Sequence, residues 1–353
     1  MNDPQSSLTR RQLLRRGAVG AGALTAAGGL LAACGSDDSK DSAASSAQNA
    51  KGKAATVSNR PITLAWGGAA CEAPLYAAYH QGFFKDEGLN ISLQQVGGDA
   101  LHDAVSTGKV AGGPGILFQW LKPIEQGLNV KLTSGLHEGC LRFVTPKGSG
   151  ITSLADVKGK TIVTDEINGS AMAFFSVDLA KAGINPEKDV TWKQVPFDQV
   201  AKTLAKGTGQ VAAAPDPAAY FPLDDGSAIE LDTNLGPAHK NEFCCVTALN
   251  GDIVKKDPAT AAAIVRAWNR GSTWVGRNIP AAAQLEIDNK YVAAPKDLLV
   301  KLLKQYTWNP GAGDLAAQLE KGAIAFKGTG YLDSGTDPKQ LAKLAFAELP
   351  LAA

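Results

Sequence analysis

Apolar positions recur along this chain in short blocks, and their period switches between two and three to four. ITLAWGG, residues 62–68, is a brief apolar run closed by turn residues and predicts a buried strand. LNISLQQ alternates, with Leu89, Ile91 and Leu93 on one side and Asn90, Ser92 and Gln94 on the other, as a half-buried strand does. Between them Pro74 opens a helix with Leu75, Ala78 and Tyr79 on one face. Asp99 is placed to cap a helix carrying Leu101, Ala104 and Val105, which Gly108 stops. KTIVT, 160–164, reads as a strand and Asn168-Gly169-Ser170 as a turn and helix cap. Helical stripes follow at Phe175, Leu179 and Ala182, and at Phe197, Val200, Ala201 and Leu204. Asp257-Pro258 opens a further helix with Ala261, Ile264, Val265 and Trp268 together, and the rest is mostly helical.

A punctuation recurs. Gly88-Leu89-Asn90, Gly127-Leu128-Asn129 and Gly183-Ile184-Asn185 each close a helical pattern and precede a strand-like one. Glycine suits the left-handed residue that ends a helix. The alternation predicts an α/β fold with largely parallel sheets.

The first 60 residues break this pattern. Arg10 and Arg11, with Leu13 and Leu14 after them, resemble a twin-arginine export signal. A Gly/Ala-rich apolar run, Gly17 to Ala33, leads to Leu31-Ala32-Ala33-Cys34, which resembles a lipobox. With five glycines, the run falls short of the roughly 20 apolar residues of a membrane span. Residues 1–33 are therefore expected to be a cleaved leader, Cys34 the lipidated first residue, and 34–60 a small, polar, flexible tether.

Residues 61–353 suffice for one large domain or two modest ones. The formal charge is +1; without residues 1–33 it becomes −2, with 31 basic against 33 acidic residues. No basic face is evident, which argues against a nucleic-acid partner.

Three segments carry a specific resemblance. GFFKDEGLNISL (82–93), ITSLADVKGKTIVT (151–164) and DPATAAAIVRAWNRGSTWV (257–275) resemble, in order and spacing, segments of ABC-importer solute-binding proteins of the nitrate/sulfonate/taurine type. That family also resembles the thiamine-pyrimidine synthases. The resemblance implies a two-lobed periplasmic-binding-protein fold (type II) with two hinge crossings: lobe 1 from 61–143 plus 248–353, lobe 2 from 144–247. It implies an extracytoplasmic, lipid-anchored, monomeric receptor that performs no chemistry and needs no cofactor. Its lobes close on a small-molecule solute, and an ABC permease with its ATPase completes import.

Loops after strands supply the candidate cleft residues, because open α/β sheets bind ligands off their carboxyl ends. They are Gly67, Gly68, Cys71 and Glu72; Gly113 and Pro114; His137, Glu138 and Cys140, leading into Arg142; and Glu166 with Asn168, Gly169 and Ser170 at a helix start. Asp216-Pro217 matches the acidic residue before proline that the family places at the cleft, with Pro215 where the family has an aromatic. The acids of this set, Glu72, Glu138, Glu166 and Asp216, outnumber Arg142 and favour a cationic or amidine-bearing heterocycle over an oxyanion. Trp66 or Tyr76 could stack on such a ring.

Cys71, Cys140, Cys244 and Cys245 all fall on predicted cleft loops or crossings, and in an oxidising compartment they are disulfide candidates. A 244–245 bond is disfavoured, since adjacent α-carbons lie about 3.8 Å apart, below the roughly 4.4–6.8 Å of disulfides. Bonds from Cys71 and Cys140 to the adjacent pair, which need a bulge, remain open beside a single Cys71–Cys140 bond. Cys71, Cys140 and Cys244, joined by His137, could instead contact the ligand or hold zinc or copper(I). A thiol-based metal-capturing lipoprotein and a thiamine-pyrimidine-synthase-like enzyme are the alternatives to a receptor.

Overall fold

The computed structural model describes residue 57, residues 59–311 and residues 313–351. The expected leader, Cys34 and nearly all of the tether lie outside the described residues. No helix among the described residues is long and apolar enough to cross a membrane.

Among the described residues, ten strands form two five-stranded sheets. In chain order they are β1 (Pro61–Trp66), β2 (Asn90–Gln95), β3 (Gly112–Ile116), β4 (Val130–His137), β5 (Leu141–Pro146), β6 (Thr161–Thr164), β7 (Thr191–Gln194), β8 (Val211–Pro215), β9 (Ala228–Thr233) and β10 (Cys245–Asn250). The first sheet runs β2-β1-β3-β10-β4 and the second β7-β6-β8-β5-β9. Each contains three parallel strands, then one antiparallel strand, then an outer strand antiparallel to that one.

The expectation of largely parallel sheets needs correcting on this point. After β4 the chain enters the second sheet as β5 within three residues, 138–140. A link that short cannot carry it back to the amino ends of β6 and β8, so β5 enters from their carboxyl ends and runs against them. The return through 234–244 imposes the same direction on β10. Pairing also puts Leu141–Phe143 in the second sheet and Cys245–Thr247 in the first. The crossings thus precede the lobe limits drawn at 143/144 and 247/248 by about three residues.

The local expectations resolve in detail. Gly88, Gly127 and Gly183 all adopt positive φ, +76°, +98° and +81°, where a helix gives way to a strand. The helix Asp99–Ser106 includes Asp99, with Gly98 in the cap position. Ser170 likewise is the first helical residue of Ser170–Lys181, and Gly169 takes the cap. Pro258–Arg277 begins as read, the Asp257 side chain accepting from Thr260 N–H at 3.2 Å. Its buried stripe, Ala261, Ile264, Val265 and Trp268, packs beside the helix Ala73–His80. On that shorter helix Leu75, Tyr76 and Ala78 are buried and Tyr79 is exposed, so the apolar face is turned from the one expected.

Candidate functional site

The carboxyl ends of both parallel strand sets border a cleft of about 390 Å³. From the first sheet come Gly67, Gly68, Cys71 and Glu72 after β1, Gly97 and Gly98 after β2, and Pro114 and Gly115 of β3. From the second come Asp165, Glu166 and Ser170 after β6, Gln194 of β7, Phe197, and Pro215 of β8. Gln119 and Cys245 complete the polar and sulfur lining.

Glu72 organises the first wall. Its carboxylate accepts the backbone N–H groups of Gly67 (2.9 and 3.0 Å) and Gly68 (2.9 Å), and the Tyr76 hydroxyl (2.7 Å). Gly68 has φ +115°, which an L side chain rarely adopts, and so the chain can fold its N–H back onto Glu72. Burial pushes the Glu72 carboxyl up to about 7. Across the cleft burial pushes Asp165 up to about 6. Tyr76 stacks on Tyr291 at 3.9 Å and Trp66 packs edge-on against both, so these two aromatics are occupied with one another. The ring at the cleft is Phe197, which the sequence pattern placed on a helical stripe.

The thiols converge beneath and beside this wall. All four are buried and unbonded. Cys140 and Cys244 touch at 2.7 Å between sulfurs, and Cys245 and Cys71 lie 3.6 Å apart. The register of β10 on β4 shifts between Cys245 and Val246, one step past the adjacent pair, with Leu136 the extra residue on β4. Cys71 and Cys245 reach the cleft lining; Cys140 and Cys244, the last residues of the outgoing and return crossings, lie outside it. His137, at the end of β4, is fully buried below the cleft, its ring stacked on Tyr306 at 5.2 Å. The donor atoms of Cys71, His137 and Cys245 lie within 4.8 Å of one another, as do those of Cys140, Cys244 and Cys245.

Several expected cleft residues lie elsewhere. Arg142 and Asp216 form a buried pair at 2.8 Å behind the crossing, extended by Glu230, Gln305 and Tyr306. Neither is among the residues lining the cleft. Glu138 anchors the return crossing by accepting Asn241 N–H at 2.8 Å. Gly113 sits under Leu101, whose Cδ1 would lie 2.8 Å from a β-carbon there. Asn168 borders a neighbouring cavity of about 420 Å³, and Gly169 precedes its helix outside the cleft lining. Of the predicted set, Gly67, Gly68, Cys71, Glu72, Pro114 and Ser170 line the cleft, with Glu166 from the acidic group. Asp165, Gln119 and Gln194 were missed; for Asp165 the signal was its place directly after the strand KTIVT.

A model of the family described as NMT1/THI5 like matches residues 71–282. YtlA of Bacillus subtilis (strain 168), named as a candidate binding protein, is 24% identical over 254 residues, covering 67% of this chain and 74% of its own. The alkanesulfonate-binding protein SsuA of Xanthomonas axonopodis pv. citri, solved bound to MOPS, matches at a TM-score of 0.68 and 16% identity, over 83% of this chain and 99% of its own. The periplasmic nitrate-binding protein NrtA of Synechocystis PCC 6803 gives 0.69 at 14% identity, over 81% and 86%. The fold is therefore the two-lobed type II arrangement of periplasmic binding proteins.

Proposed function

The chain belongs to the NMT1/THI5-like family, and from that premise we propose that it is the extracytoplasmic solute-binding component of an ABC importer, anchored by a lipid on Cys34. It acts as a monomer, closes its lobes, 61–140 with 245–353 and 141–244, on a small solute, and hands that solute to a permease driven by a separate ATPase. The cleft holds the solute without transforming it.

One observation carries the choice of solute. Glu72, Asp165 and Glu166 line the cleft, and no lysine, arginine or histidine is among the lining residues. An oxyanion would meet carboxylates without a compensating cation, a costly arrangement in a partly dry cleft. A protonated or amidine-bearing heterocycle offers N–H donors to those carboxylates and to Gln119 and Gln194, and a flat face to Phe197. Its size suits a cavity of about 390 Å³.

Calorimetric titration with hydroxymethyl-pyrimidine, taurine and nitrate tests this. Binding of the pyrimidine alone is expected. Binding of taurine or nitrate alone would overturn the choice of solute class.

A further inference from the structure

Cys71, His137 and Cys245 come from three separate segments, yet their donor atoms gather within 4.8 Å at the cleft floor. They follow β1, end β4 and begin β10, respectively. The His137 ring is fully buried and its Nε2 has no hydrogen-bond partner. A buried imidazole nitrogen without a partner is costly and calls for an occupant.

The spacing suits a metal ion. Zinc bound at about 2.3 Å by two thiolates in a tetrahedron sets the sulfurs about 3.8 Å apart, and Cys71 and Cys245 stand at 3.6 Å. Cys140 and Cys244, at 2.7 Å, are too close to be two donors to one ion. Two thiolates also neutralise a divalent cation, so the ion adds no net charge to a buried site.

We propose that Cys71, His137 and Cys245 form a three-donor site for a borderline-soft divalent cation of the zinc type. Both cysteines belong to the cleft lining while His137 lies beneath, so the fourth coordination position opens into the cleft. Water or a donor atom of the solute fills it there. The site stands whether or not the cleft selects an organic cation. Loading before export, which the twin-arginine-like signal allows, keeps Cys71 and Cys245 from oxidising.

The test uses the full chain, purified anaerobically under reducing conditions, stripped with chelator and titrated with cobalt(II). One equivalent is expected to produce thiolate-to-cobalt charge-transfer absorption and the visible bands of a tetrahedral site, both displaced by zinc(II). Cys71→Ser, Cys245→Ser and His137→Ala are each expected to weaken zinc binding at least about 100-fold, beyond the 10–100-fold that follows loss of supporting contacts. Cys140→Ser keeps the charge-transfer band. Circular dichroism establishes that each variant folds, and the wild-type cobalt spectrum decides the matter if one does not. Absence of charge transfer in the reduced wild type overturns the proposal. So does a bound metal indifferent to Cys71→Ser, or a Cys71–Cys245 disulfide in protein isolated from the exporting cell.

Discussion

The Asn234 side-chain oxygen accepts the backbone N–H of Cys140 at 2.8 Å, and that of Leu141 at the same distance. This one amide joins the two crossings, since Cys140 ends the outgoing link and Asn234 begins the return. The Asn234 side chain is 8% exposed, so water cannot replace it. Asn234→Ala strands two buried donors and is expected to cost about 2–4 kcal/mol in urea unfolding. Asn234→Asp, which keeps an acceptor, is expected to retain most of that stability at neutral pH. Equal losses in both variants would mean that the acceptor is not what matters.

Glu72 and Asp165 give the cleft a pH dependence of defined sign. Their carboxyls are raised from 4.5 and 3.8 to about 7 and about 6. A raised folded-state value favours the protonated form, so this contribution to stability is fully present below the ordinary values. It is lost as pH rises through about 6 and then about 7. A cationic solute prefers the ionised carboxylates, so its affinity moves the other way. Its Kd is expected to fall by about tenfold or more between pH 5.5 and 7.5, while the melting temperature declines. Glu72→Gln is expected to flatten the upper step and to weaken binding about tenfold at pH 7.5. Calorimetry across pH, with the cationic ligand that the titration identifies, reads both effects.

Arg142 and Asp216 predict a stability effect rather than a binding effect. Arg142 Nε, at 2.8 Å, and the Tyr306 hydroxyl, at 2.9 Å, saturate the fully buried Asp216 carboxylate. Removing Asp216 leaves Arg142 Nε and the Tyr306 hydroxyl without their buried acceptor, while Glu230 still pairs with the guanidinium. Asp216→Ala is therefore expected to destabilise by about 2–4 kcal/mol. Below its melting transition the variant is expected to bind solute as the wild type does. Lost affinity without lost stability would return Asp216 to the cleft.

Those two residues also mark the limit of what the sequence could tell. Strand and helix periods reveal the layers, and the three Gly-Leu/Ile-Asn marks locate helix ends, because these depend on neighbours in the chain. Gly67, Cys71 and Glu72 were legible because a loop directly after a buried strand must lie at a sheet's carboxyl edge. A charge such as Arg142 does not announce whether its partner is a solute or another side chain. Asp216, Glu230 and Gln305, which hold it, lie 74 to 163 residues away in sequence. Strand direction is equally silent in an apolar run, so the antiparallel β5 and β10 emerge only from the short crossing that precedes β5 and from sheet pairing. The thiol pairs became readable only in the folded chain, since Cys140 and Cys244 lie 104 residues apart in sequence and Cys71 and Cys245 174.

Gly271 sets two local effects against each other. It lies within the helix Pro258–Arg277, where alanine forms helix better by about 0.8–1 kcal/mol. A β-carbon there would stand 2.1 Å from Pro74 O, 3.0 Å from Ala78 N and 3.1 Å from the Ala78 β-carbon. The nearest of these is backbone of the packed helix Ala73–His80, which cannot swing aside as a flexible side chain could. Relief requires moving one helix against the other, and overpacking of that kind costs about 1–3 kcal/mol. The contact outweighs propensity, so Gly271→Ala is expected to destabilise. Gly328 provides the opposite case: it ends the helix Leu315–Gly328 exposed to solvent, and an added β-carbon meets nothing within 4 Å. Gly328→Ala is expected to stabilise by about 0.4–1 kcal/mol, chiefly by restricting the unfolded chain. Urea unfolding of both variants checks the pair. A gain in stability for Gly271→Ala would show that the two helices are not packed as closely as the Gly271–Pro74 contact requires.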